Sequence, residues 1–511
     1  MPSAPIVLPV AQWAPDMPAL QNPGCGNVRN VVPRSPSSYG PLSGLSVYST
    51  ALANRCQGAA AFLDTAGDVS LFAGDAHDLY ALTSAGASWS VVSKTASHPY
   101  NAPSETMWNF ALVGPRVLAT DFVDPIQSFV QGSSTAFADL AAGAPRCRYL
   151  AVVRNFLVAA HTNDSTNGPQ PQRVWWSALN DPTNWPTAGT AAAAQVQSDY
   201  NDLLGAGGWI QGIVGNLGTA DGAVFMERAV WRMVYAGPPA VFYFFTAEGA
   251  RGTPAPASIV QLGPLVYYLG RDGFYVFDGT TSTPIGVNKV DKYFYSNVDQ
   301  NNLARVVGAI DPVNKLVMWA WPDLAATNGN PNHLLIYNWQ MDRWTIADLT
   351  VETLLSLLSF GVTLDAMNVY GTLDAMPQFP FDSRVWTGGK DMLGAFDTSH
   401  RLNYFNGQNL AATVDTSELQ PFPGRRALIT GTRPLVDGGS SPGSGPSVAL
   451  GTRNRLVDAV SFNAATPMNS LGTCPQRASG RYVRAEITVP AGAAWTHMQG
   501  LELDATPSGV R

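Results

Sequence analysis

Charged side chains are scarce in this sequence. Asp, Glu, Lys and Arg make up 13% of 511 residues, about half the usual share, and only five lysines occur. A chain so poor in charge cannot cover long solvated helices, whose outer faces need it. Four cysteines, Cys25, Cys56, Cys147 and Cys474, stand far apart with no C-x-x-C pair, so they read as buried, reduced thiols rather than as a disulfide frame or a zinc site. No apolar run approaches the roughly 18 residues of a membrane helix. The longest, Val234 to Phe245, is broken by Gly237, Pro238 and Pro239. The first arginine is Arg29, so no basic start of a secretory signal is visible, and the expectation is a soluble chain made in a cytoplasm. The phosphate-cradling G-x-x-x-x-G-K-[ST], the H-E-x-x-H zinc motif and the Asp-rich calcium loop are all missing. With 37 acids against 30 bases, bulk attraction to DNA or anionic membrane is excluded as well.

What the chain has instead is turn formers, 48 Gly and 38 Pro, set between short apolar and aromatic runs. Arg173 to Pro186 is the clearest of these. Val174, Trp175 and Trp176 suit a strand, Asn180-Asp181-Pro182 reverses it, and Trp185 is placed to fold back on the strand. Weaker versions stand at Trp231, at Trp319 and Trp321, and at Tyr337 to Trp344. Burying one such ring removes roughly 150–250 Å² from water, so packing is the role expected of them.

Four strand-like pieces run from Ala59 to Val92, and units of three or four follow at a period of roughly 35 to 50 residues. They begin near Phe110, Tyr149, Ile210, Ser258 and Arg305, and a less clear seventh takes in Arg384 to Trp386, Met392 to Phe396 and Leu402 to Phe405. Val351 to Phe360 fits a helix or a strand equally well, and Thr-Leu-Asp-Ala-Met at 363–367 and again at 372–376 reads as an inserted loop. The fold class expected is therefore all-β: a β-propeller of about six or seven blades over residues 51–420, with a second, smaller antiparallel β domain over 421–511. Residues 1–50 hold nine prolines and read as an arm that cannot pair as a central strand; it would lie along another domain or subunit, or complete the C-terminal unit. Residues 421–511 carry nine Arg, no Lys and five acids, a charge of +4 against −11 for the first 420.

No residue emerges as catalytic, cofactor-binding or metal-ligating. G-x-S-x-G occurs once, at Gly439-Ser440-Ser441-Pro442-Gly443, inside a low-complexity tip, and Pro442 lacks the N–H that an oxyanion hole needs after its nucleophile. His77, His98, His161, His333, His400 and His497 are scattered. Asp272, Asp278 and Asp311 stand beside Gly or Pro, where Asp builds turns, although propellers also host glycosidases that use acid pairs. Trp231-Arg232 and Arg343-Trp344 have the chemistry to stack on bases or sugars, and read first as core.

Particular runs resemble a known family. Arg271-Asp272-Gly273-Phe274-Tyr275-Val276-Phe277-Asp278-Gly279, Ala309 to Ala320, Leu335 to Trp339 with Arg343-Trp344, and Trp175-Trp176-Ser177 to Trp185 resemble the tail hub, or nozzle, proteins of short-tailed bacteriophages, also called packaged-DNA stabilisation proteins. The opening residues Ala14 to Leu20, Asn27-Val28 and Val31-Val32-Pro33, and the closing Arg477, Gly480 to Arg484 and Trp495, resemble the two ends of such chains. The resemblance implies a virion structural protein, not an enzyme, with no cofactor. It implies a homo-hexameric ring below the portal and its adaptor, contacts with tail fibre or spike proteins, and double-stranded DNA passing through the lumen, in a virion assembled in the bacterial host cytoplasm with no membrane anchor. A glycan-binding or glycan-cleaving propeller is the alternative.

Overall fold

A computed structural model of the protein describes residues 5–18, 24–64, 67–82, 87–95, 98–359, 372, 389–438 and 445–509. Seven antiparallel sheets of four strands follow one another along the chain. The first runs from Ala59–Leu63 to Trp89–Val91, the second from Asn109–Val113 to Ala138–Asp139, and the third from Arg146–Val153 to Asp199–Asp202. The fourth runs from Ile210–Gly215 to Val241–Glu248, the fifth from Val260–Leu262 to Ser282–Pro284, and the sixth from Val307–Asp311 to Arg343–Asp348. At every join but that of the fourth and fifth sheets the first strands of neighbouring sheets pack side by side, and Thr353–Leu358 of the seventh sheet returns to Ala59–Leu63 of the first, which closes a propeller-like ring. Gly212 shows how tight the inner ring is: a Cβ there would lie 2.4 Å from the Ile259 side chain on the next sheet.

The seventh sheet is made from both parts of the chain. Thr353–Leu358, Asp391–Phe396 and Arg401–Tyr404 are followed by Ser46–Ala51 as the fourth strand. Ser49 fixes the join, its Oγ accepting from the Leu402 N–H at 3.0 Å. Val351 to Phe360 thus contains a strand and not a helix; as an innermost strand it is buried on both faces, so its apolar run carries no period of two. The fourth strands Ala138–Asp139, Asp199–Asp202 and Ser282–Pro284 were absent from the expectation because they are short, mostly polar and carry almost no buried residues. Arg384 to Trp386, the duplicated pentapeptide apart from Thr372, and the Gly439 to Gly443 string lie outside the described residues.

The C-terminal strands build two facing sheets. One holds Arg426–Asp437 between Ala478–Gly480 and His497–Ser508; the other holds Tyr482–Val489 between Ala412–Asp415 and Ser447–Arg453. Tyr482–Val489 alternates buried and half-buried residues along its whole length, as a strand with one face on a core does. The N-terminal residues enter both layers. Ile6–Pro9 pairs with His497–Ser508, and Ser38–Pro41 joins the same sheet with Val31–Ser35 outside it. Val28–Arg29 sits centrally between Arg343–Asp348 of the sixth propeller sheet and Ala412–Asp415, making one ten-stranded sheet. This corrects the expectation that the arm cannot hold a central position. Its prolines stay where no ladder donor is required, with Pro33 in an outer strand and Pro36 in the turn after it, while the residues between them pair.

The joint between propeller and sandwich is aromatic. Trp319 and Trp344 stack at 5.8 Å, Phe274 touches both at 4.8 and 5.2 Å, and Tyr337 lies 4.6 Å from Trp344. Each indole N–H is satisfied: Trp319 donates to the Ser258 carbonyl at 3.0 Å and Trp344 to that of Ile285 at 3.1 Å. Tyr39 ties the arm to this joint. Its hydroxyl donates to the Ala11 carbonyl at 2.7 Å and accepts from Arg343 at 2.9 Å, and that guanidinium lies over the Tyr39 ring. The Asp16 carboxylate accepts the Lys292 and Tyr293 N–H groups at 2.9 and 2.8 Å, capping the helix Asp291–Asn297.

Asp291, which opens that helix, has its carboxyl pushed up to about 7, by burial first and then by the Asp16 and Asp272 charges, against the hydrogen bond from the Phe274 N–H. With a folded value above the unfolded one, its contribution to stability is complete below pH 3.8 and is lost as pH rises through about 7. Asp291→Asn keeps the acceptor oxygen and removes the charge. The expected result in urea unfolding is a variant more stable than the parent at pH 8, by on the order of one to a few kcal/mol, with the difference shrinking toward pH 5.

Candidate functional site

A recess of about 620 Å³ lies between the second and third sheets. Its floor is the aromatic clasp of the third sheet. Trp175 is the penultimate residue of the strand Gly168–Trp176, and Trp185 folds back to meet it edge-on at 6.4 Å, with Tyr200 at 5.6 Å on the other side. The turn that allows this is fixed by Asp181, whose carboxylate accepts the Thr183 N–H and hydroxyl at 2.9 and 2.6 Å, and the Trp185 indole N–H donates to the Pro182 carbonyl at 2.7 Å. The connection Ala141 to Pro145 forms one wall. Gly143 passes so close that a Cβ would lie 2.6 Å from the Trp185 carbonyl oxygen.

Arg146 and Asn163 stand on the rim as cross-strand partners, so their side chains leave the sheet on the same face. Asp139 stands opposite on the second sheet, accepting from Gln127 at 2.7 Å and lying 3.4 Å from Lys94. Behind the rim, the buried Arg173 guanidinium grips Asp202 with two bonds of 2.7 and 2.8 Å, reaches Asp164 at 3.4 Å and stacks on Tyr200 at 3.7 Å. Burial alone would raise the Asp164 carboxyl, but hydrogen bonds from Asn167 and Thr166, with the Arg173 charge, hold it below the usual range. That carboxylate ties off the turn after Phe156–Asp164 and so fixes the rim.

A second constellation stands where the connections into the innermost strands converge. Arg305 pairs with Glu105 at 3.1 Å, and Arg55 donates to the Ser104 carbonyl. Burial first, and the Arg305 charge next, pull the Arg55 guanidinium below its ordinary value. Glu352 accepts from the Cys56 N–H at 3.1 Å and from His400 at 2.7 Å, and burial raises its carboxyl. These contacts hold the seventh sheet to the first.

The residues weighed in the sequence occupy structural positions. Asp278 and Asp311 accept the N–H groups two and three residues on, at 2.7 to 3.1 Å, and Asp272 accepts the Tyr275 hydroxyl at 2.9 Å. His161 is held by the Ile210 carbonyl at 3.1 Å, with its ring pushed down to about 4 by burial. His333 lies between Asp348 and Asp323, His77 against the Tyr100 carbonyl and His497 against Ser38. Among the described residues no three His, Cys, Asp or Glu groups cluster to hold a metal ion. The four cysteines are free and buried, and burial pushes the Cys25 thiol up to about 12. Among the described residues no helix is long and apolar enough to cross a membrane. Arg146 and Asn163 escaped the sequence reading because only strand register brings them together.

No family model and no curated protein matches the chain. Among solved structures, the extracellular domain of a putative one component system from B. thetaiotaomicron aligns with 82% of this chain at 9% identity and a TM-score of 0.42. The chain spans 47% of that domain's length. The computationally designed Ika8 protein aligns over its whole length with 71% of this chain, at 10% identity and a TM-score of 0.33.

Because Arg173 is almost wholly buried while Asp202 keeps some contact with water, Arg173→Ala should lower the free energy of unfolding by about 2–4 kcal/mol, short of the full penalty for a sealed pair. Chemical denaturation of both proteins at pH 7 reads the difference.

Proposed function

We propose that the protein is a structural subunit of the tail hub of a short-tailed bacteriophage, assembling as a homo-hexameric ring below the portal and its adaptor. In this reading it carries out no catalytic step. It holds packaged DNA in the particle and frames the channel through which the DNA later leaves.

The observation that carries the reading is where the family-like residues lie. Val28 and Val31 from the opening arm, Phe274, Ile310, Trp319, Tyr337 and Trp344 from the fifth and sixth sheets, and Val483 and Trp495 from the closing strands all belong to one hydrophobic core. Several of the runs that resemble hub proteins therefore meet in one place, while Trp175 to Trp185 packs apart from them in the third sheet. Those that meet there join the propeller to the sandwich, as a ring subunit under load requires. The charge distribution supports the same reading: the first 420 residues carry −11, and a wall of that sign repels phosphate and lets DNA slide. The +4 end gives the subunit a polarity suited to head-to-tail contacts around a ring.

Quantitative mass spectrometry of density-purified particles tests the proposal. The expected result is co-purification at about one copy per two portal subunits, the ratio of a hexamer on a dodecamer. Absence from particles overturns it.

A further inference from the structure

The groove between the second and third sheets takes no part in that structural role, and its chemistry points elsewhere. We propose that it is a binding site for an oligosaccharide carrying a carboxylate, such as a uronic or sialic acid unit. The inference rests on the groove alone and stands or falls independently of the tail-hub reading.

Four features argue for this ligand class. At about 620 Å³ the groove is the size of a small-molecule site and far larger than a gap between packed strands. Its floor is the small exposed part of two otherwise buried indoles held edge to face, while its rim is furnished by neutral donors and acceptors, Asn163, Ser165, Thr166 and Thr187. That division matches a sugar, which presents C–H faces to aromatic surface and hydroxyls to amides and hydroxyls. The rim's charges are also unequal in availability. Asp139 is engaged by Gln127 and Lys94, and Asp164 by Arg173 and the turn behind it. Arg146 is exposed and its side chain forms no ion pair or hydrogen bond among the described residues, leaving one uncommitted guanidinium with the fork geometry for a carboxylate.

The same balance argues against rival ligands. One uncommitted guanidinium matches a single carboxylate and not the successive charges of a phosphate chain, so a nucleic acid does not fit. A purely neutral glycan would leave Arg146 unused. The site is also built in advance: Asp181 and Asp164 tie off the two turns beside it, and Gly143 lets the connecting wall press on the Trp185 backbone. Little ordering is left for a ligand to impose.

Isothermal titration of the full-length protein with trigalacturonate, sialyllactose and a hyaluronan tetrasaccharide, and with maltotriose as the neutral comparator, tests the site. The expected result is saturable binding of at least one acidic saccharide, with maltotriose at least about tenfold weaker. Arg146→Ala should weaken that binding by about tenfold or more and leave thermal unfolding unchanged, since the side chain is exposed and unpaired. Asn163→Ala should weaken it less, and Arg433→Ala, a change at an exposed arginine on the sandwich, should leave it intact. Failure of all three acidic saccharides to bind at concentrations up to about 5 mM overturns the proposal. Binding that survives Arg146→Ala, or that treats maltotriose as an equal, overturns it as well.

Discussion

Two residues of backbone carry the architecture. Val28 and Arg29 complete a sheet that begins in the sixth blade and ends in the C-terminal sandwich, so the two halves share a ladder of hydrogen bonds as well as a surface. Around that seam the aromatic residues of the fifth and sixth sheets fill the space that a flexible linker would leave empty. Relative motion of the halves would have to break main-chain hydrogen bonds and open an aromatic core, and each of those is costly. The Arg29 to Asp348 ion pair, with His333 beside it, lies on the same seam.

Several of the protein's few charges hold the fold in order. Arg173 braces the third sheet, Arg343 anchors the arm, Arg453 pairs with Glu418 under the sandwich, and Glu352 with His400 holds the closing blade. Buried groups of this kind add little net stability over apolar replacements, but they penalise any register that leaves them unpaired. In a chain of many similar short strands, such penalties separate one arrangement from its near neighbours.

The repeating sheets were legible in the sequence because each strand is bounded by turn formers and its apolar content is local. The aromatic clasp was legible for the same reason, since Trp175, Asp181 and Trp185 lie within a dozen residues. What could not be read is whatever depends on register between distant segments. Nothing near Ser46 announces that it pairs with Tyr404, and nothing in Arg146 or Asn163 announces the other. Val28 was hidden by the prolines around it, which suggested a surface course although the residues between them had donors to give. The groove is therefore a property of pairing and not of any motif, whereas the clasp at its floor was visible from composition and spacing.

The way the seventh sheet closes also sets the order of events at the ribosome. Ser46–Ala51 is synthesised early, yet its partner Arg401–Tyr404 follows some 353 residues later. Six blades can pair from local contacts while the chain is still growing, but the ring stays open, with two unsatisfied strand edges, until Arg401–Tyr404 has been made. The same late segment brings the strands that bury Leu8, Val28 and Tyr39, so closure of the ring and capture of the arm coincide. The nascent protein thus has one vulnerable interval, when an exposed edge could recruit a neighbouring chain instead of its own first strand.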